Sequence, residues 1–131
     1  MKKLSFILFA ICVTFASCSN DDSNIQEKDA QELEKMHQEI ITLSLVNSEP
    51  CTDSKNWDFT ALGTKSCGGV ATFIVYSKKI DKNAFIAKVK AYTDAKTAFD
   101  KKYNISSTCE IILPPSSIEC MDGKPKLIYG R

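Results

Sequence analysis

Apolar residues fall along this chain in runs of different period. Behind Met1-Lys2-Lys3, the stretch from Leu4 to Phe15 is almost unbroken apolar sequence, too short to span a bilayer comfortably. Ser19 to Asn24 is polar with nothing to bury, and reads as a flexible spacer. From Gln26 to about Val46 the period becomes helical: Leu33, Met36, Ile40 and Leu43 form one stripe. Charged residues from Glu27 to Lys35 crowd its first half, which predicts a solvated stalk, and Asn47-Ser48-Glu49-Pro50 stops the helix.

Cys51 to Gly69 lacks a clear period, with a turn cluster at Thr52–Asn56 and two aromatics, Trp57 and Phe59, that dip into the core. Val70 to Ser77 is apolar and β-branched, which reads as a buried strand; a short buried helix has the same signature at this length. Asp81 is an N-cap for a second helix reaching about Tyr103, with Phe85, Val89, Tyr92, Phe99 and Tyr103 on one stripe and lysines over much of the rest. Beyond it, short β-rich runs flank Asp122-Gly123, a hairpin signal, and Pro125 confines its strand to an edge or a late start. The expected class is α+β: two amphipathic helices, near 27–46 and 81–103, packed on a small antiparallel sheet drawn from 70–77 and 109–129. Disulfides brace it, and residues 27–131 form a single small globular domain.

The N-terminal run ends in Phe15-Ala16-Ser17-Cys18. This resembles the lipobox of bacterial lipoproteins, with Phe15 in the position usually held by leucine. The resemblance implies a signal peptide over 1–17, cleavage before Cys18, and acylation of Cys18, with palmitate or a similar chain among the lipids. Residues 18–26 are then the acylated cysteine and a polar tether, and the membrane partner is reached through that lipid. Two or more acyl chains hold a protein stably, so a water-soluble body on the cell envelope is expected. The outer membrane is the expected address, on its periplasmic or its exposed face. Asp21-Asp22 after the cysteine also resembles the export signal of surface-displayed lipoproteins in the Bacteroidota.

Charge and cysteines narrow the chemistry. Without the signal, fifteen basic residues face sixteen acidic ones, which leaves no field for steering nucleic acid. About 114 residues, part of them tether, make a small core that needs staples. Cys51, Cys67, Cys109 and Cys120 remain in an exported chain, an even number that reads as two disulfides. A zinc site would want a Cys-x2-Cys pair, which is missing, and the one histidine, His37, lies elsewhere. Three connectivities exist; the local pairs Cys51–Cys67 and Cys109–Cys120 are preferred.

No catalytic set is recognisable. His37 with Glu34, and Ser66 beside Cys67, are the candidates, and neither makes a nucleophile–base–orienter arrangement by spacing. Cys67-Gly68-Gly69 lacks the fingerprint of a phosphate loop, and no cofactor motif appears. Asn104-Ile105-Ser106 spells a glycosylation sequon, of little weight in a bacterial lipoprotein. Cys67-Gly68-Gly69, Tyr76-Ser77, Asp81, Phe85, Tyr92, Ser107-Thr108-Cys109 and Pro114-Pro115 together resemble a family of small exported bacterial proteins, over roughly residues 50–123. That family usually has proline after the glycine pair, where this chain has Val70. The resemblance implies one compact domain and transfers no activity.

The expected function is therefore a membrane-anchored envelope lipoprotein acting as a binding or inhibitory module toward an envelope protein or glycan. A small envelope enzyme and a structural subunit of an envelope complex are the alternatives. A stiff Pro114-Pro115 loop lowers the entropic cost of docking. The candidate binding surface is Gly68, Gly69, Tyr76, Pro114 and Pro115, with Tyr76 either its aromatic anchor or plain core.

Overall fold

Val70–Ser77 is the strand its β-branched composition predicts, and its partner is a stretch that the sequence reads as loop. The computed structural model describes residues 21–130; the signal segment 1–17 and Cys18 lie outside the described residues. Strand β1 (Trp57–Thr64) and strand β2 (Val70–Ser77) pair antiparallel. The turn cluster ahead of β1 occupies only Asp53–Asn56, where Asp53 Oδ1 accepts from the Lys55 amide at 2.9 Å to cap one 3-10 turn. Trp57-Asp58-Phe59-Thr60 alternates bulky and polar side chains as a two-faced strand needs, but the phase breaks at Ala61-Leu62, which hides the strand in the sequence.

The register sorts side chains between the two faces. Asp58↔Tyr76, Thr60↔Ile74 and Leu62↔Thr72 share one face, and Trp57↔Ser77, Phe59↔Val75 and Ala61↔Phe73 the other. The first face is covered by two helices, α1 (Asp21–Leu43) and α2 (Lys82–Lys102). Ile40 from α1, Phe85 and Val89 from α2, and Leu62, Ile74 and Tyr76 from the ribbon make the main core. The second face is covered near its open end by a separate antiparallel hairpin, β3 (Ser117–Met121) and β4 (Lys124–Ile128). Trp57, Val75 and Cys51 are buried there, with Ile118 and Leu127 packed on them. The expected α+β class is thus observed, with two small sheets in place of one.

Several boundaries differ from those the pattern suggests. Helix α1 starts at Asp21, inside the stretch read as tether; its charged half is solvated as expected, but it is held to α2 through Asp29. Asp29 takes the Lys102 ammonium at 2.7 Å and the Tyr103 hydroxyl at 2.8 Å, while Glu39 takes Lys88 at 2.7 Å, which fixes α1 antiparallel to α2. The helix stops at Leu43, because Leu45 turns left-handed with φ of 61° and the Ser44 side chain caps the Ile41 carbonyl at 2.6 Å. Helix α2 behaves as read: Asp81 Oδ1 accepts from the Ala84 amide at 3.1 Å. Its far end is a Schellman cap, with Asn104 left-handed and the Ile105 amide on the Asp100 carbonyl at 2.9 Å. Asp122-Gly123 forms the expected hairpin turn, both residues at positive φ.

The disulfide joins Cys51 to Cys120, which corrects both local pairings expected for these cysteines. Local sequence distance misled because β3–β4 folds back onto the start of β1, where the Cys51 amide also reaches the Gly123 carbonyl at 2.9 Å. With a sequence separation of 69, the bridge closes a long loop, worth about 4 kcal/mol in the chain-entropy account. Replacing Cys51 and Cys120 together by Ser is expected to remove about 2–4 kcal/mol in urea unfolding. A loss under about 0.5 kcal/mol would show that β3–β4 is held without it.

Candidate functional site

Beyond the cap of α2 at Tyr103 and Asn104, residues 105–116 run to β3 outside helix or strand. This strap is pinned at both ends. At its start it meets the turn of the β1–β2 hairpin, where Gly68 and Gly69 adopt φ of 90° and 84° and close the turn through Lys65 N to Gly69 O at 3.0 Å. The Ser66 amide donates to Ser107 Oγ at 3.0 Å and the Ser107 amide returns a bond to Ser66 Oγ at 2.9 Å. Lys65 Nζ adds a bond to the Glu110 carbonyl at 2.5 Å. At its end Pro115 is buried, and the Ser116 amide and hydroxyl both donate to the Ile128 carbonyl, at 2.7 and 2.9 Å.

Its middle is different. Ile111 is 84 % exposed and Leu113 68 % exposed, with half-buried Ile112 between them. Among the described residues, no hydrogen bond is made by the amides of Ile111, Ile112 or Leu113. Large aliphatic groups singly exposed are ordinary; two within three residues of one clamped segment, beside unpaired backbone, form a feature. The sequence reads 109–113 as a strand of a meander. Its composition suits a strand, but the strap finds no ladder partner in its own fold.

The residues expected to form a binding surface are not brought together. Tyr76 is 1 % exposed, its ring 4.9 Å from that of Phe85, and its hydroxyl donates to Asp58 Oδ2 at 3.0 Å. It is core, the second of the two readings open for it, and not a surface anchor. Gly68 and Gly69 lie at the closed end of the ribbon and Tyr76 near the open end, roughly 20 Å along β2. Pro114 is exposed and Pro115 buried, so the proline pair divides its work between surface and scaffold. Pattern alone takes Leu113 only as the start of the proline-stiffened loop 113–118 and leaves Ile111 out. Their signal was an aliphatic run directly before two prolines, which cannot donate to a ladder.

The candidate catalytic residues are engaged with other partners. Glu34 accepts from Gln38 at 2.7 Å, while the His37 ring sits 5.6 Å from that of Tyr92. Burial raises the Tyr92 phenol, aided by the charges of Glu34 and Asp100. Ser66 is engaged with Ser107. Among the described residues, no group of three or more His, Cys, Asp or Glu is placed to hold a metal, and no helix is long and apolar enough to cross a membrane. Cys67 and Cys109 are both exposed thiols, side by side across the junction of turn and strap. No protein-family model, curated protein or solved structure matches the chain.

One polar cluster at the edge of the core holds a shifted carboxyl. Burial alone would raise the Asp58 carboxyl; bonds from the Phe59 amide, the Tyr76 hydroxyl and Lys82 outweigh it, and the group ends below its usual 3.8. A depressed carboxylate stabilises the fold above its unfolded pKa, and that contribution is lost as pH falls through the folded value. Asp58→Asn is therefore expected to lower the melting temperature at pH 7, with the gap to the parent closing as pH drops from about 4 to about 2. A gap unchanged over that range would remove Asp58 from the acid response.

Proposed function

We propose that this chain is a lipid-anchored protein of the bacterial cell envelope that binds a partner protein through the strap, most directly through Ile111 and Leu113. The observation that carries the reading is the pair of exposed aliphatic side chains on a segment fastened at both ends. Fastening removes most of the ordering cost that a free loop would meet on docking. The unpaired amides of 111–113 suit addition of the strap as an extra strand to a partner's sheet edge, with apolar pockets taking Ile111 and Leu113. Aliphatic contacts favour a protein over a glycan as the partner. The anchor rests on the lipobox-like Phe15-Ala16-Ser17-Cys18, which implies acylation at Cys18 and attachment to the outer membrane.

A photo-cross-linking phenylalanine at position 111 tests the binding surface in intact envelope. One discrete protein adduct is expected from 111 and none from the same probe at Lys90 on the exposed side of α2. Adding Leu113→Ser is expected to cut adduct yield about tenfold or more while the melting temperature moves by less than about 2 °C. Adducts from both positions, or from neither, contradict the reading. Separately, the native chain is expected to incorporate a clickable palmitate analogue and to partition into detergent, and Cys18→Ala to do neither. A native chain that takes up no label would remove the anchor.

A further inference from the structure

We propose that Cys67 and Cys109 form a second, reversible disulfide that fastens the strap to the turn of the β1–β2 hairpin. Two neighbouring contacts set the stage. Ser66 and Ser107, one and two positions before these cysteines, exchange amide-to-hydroxyl bonds in both directions at 3.0 and 2.9 Å. The Cys67 sulfur then reaches the Thr108 carbonyl at 3.9 Å, and the Cys109 thiol lies within hydrogen-bonding reach of Cys67. Lys65, bonded to the Glu110 carbonyl, brackets the pair from the other side. Turn and strap are thus already held in place by contacts other than the sulfurs, so closing the bond asks for little further ordering of backbone.

The two cysteine pairs differ in exposure. Cys51, in the closed bridge, is buried against Trp57 and Val75, whereas Cys67 and Cys109 are open to solvent. Access is one of the factors that make a disulfide the labile member of a set. The hydrogen bond to Cys67 raises the Cys109 thiol, with burial and the Cys67 charge adding to it and Lys65 opposing.

The oxidant is a disulfide, either small or carried by an exported protein. A thiolate of the pair attacks one sulfur of that disulfide, forming a mixed disulfide and releasing one thiol. The remaining cysteine then attacks the mixed disulfide and releases the second thiol. Two cysteine thiols and one disulfide give one Cys67–Cys109 bond and two thiols, and the two cysteine protons end on the departing sulfurs. The bond ties the strap two residues before Ile111. Its formation stands independently of the partner reading; only its effect on partner capture rests on that reading.

The test uses the full mature chain, reduced mildly and then treated with oxidised glutathione. Non-reducing peptide mapping is expected to recover Cys67 linked to Cys109 and Cys51 linked to Cys120, with a mass loss of two hydrogens and no retained glutathione. The second bridge is expected to raise the melting temperature by about 5–10 °C, and to open at a dithiothreitol concentration about tenfold below that needed for Cys51–Cys120. Cys67→Ser, a small and conservative change at an exposed site, is expected to leave Cys109 carrying glutathione. Glutathione retained on both cysteines of the parent, free thiols after treatment, or a Cys51–Cys67 peptide would each overturn the proposal. If the bridge forms but adduct yield at position 111 is the same with and without it, the link to partner capture fails and the disulfide stands.

Discussion

A two-stranded ribbon has no stability of its own in water, and β1–β2 is the piece on which everything else in this domain packs. Each of its faces must be buried by something the chain brings from elsewhere. The helices bury one with Ile40, Phe85 and Val89 over Leu62, Ile74 and Tyr76. The other is buried by β3–β4, a hairpin of short strands that is equally unstable alone and is tied down by Cys51–Cys120. The two halves of the chain therefore depend on each other through opposite faces of one ribbon.

That dependence explains what was legible in the sequence. Both helices, the Asp81 cap and the Asp122-Gly123 turn rest on local rules of period and backbone conformation; α2, the cap and the turn appear where the pattern puts them, and α1 is found but begins earlier, at Asp21, and ends at Leu43. β1 was not legible, because a turn cluster stands before it and Gly63 within it, and its strand character comes from pairing with β2. Nor was the disulfide: pairing Cys51 with Cys120 requires knowing that β3–β4 returns to the ribbon's open end. Tyr76 illustrates the same gap. An aromatic in a strand is anchor or core according to which face the register gives it, and the partner Asp58 decides that it faces the helices.

The strap follows from the same geometry. The chain leaves α2 at the closed end of the ribbon and must reach β3 at the open end, along a ribbon whose eight-residue strands span about 26 Å. It crosses that distance pinned by Ser107 at one end and by Pro115 and Ser116 at the other. What lies between is drawn out, with aliphatic side chains outward and backbone unpaired. A connection imposed by topology has become the most accessible apolar feature of the domain, which is why a binding role is assigned to it.

Hydrogen–deuterium exchange on the full chain tests this account most directly, because it reads backbone pairing residue by residue. The amides of Ile111, Ile112 and Leu113 are expected to exchange at nearly the rate of an unstructured peptide, while Ser107 and Ser116 at the two pins, and the alternate amides of β1 that pair with β2, are slowed by at least about a hundredfold. Protection at 111–113 equal to that of β1 would mean that the strap is already paired within its own domain, and the surface described here would not exist.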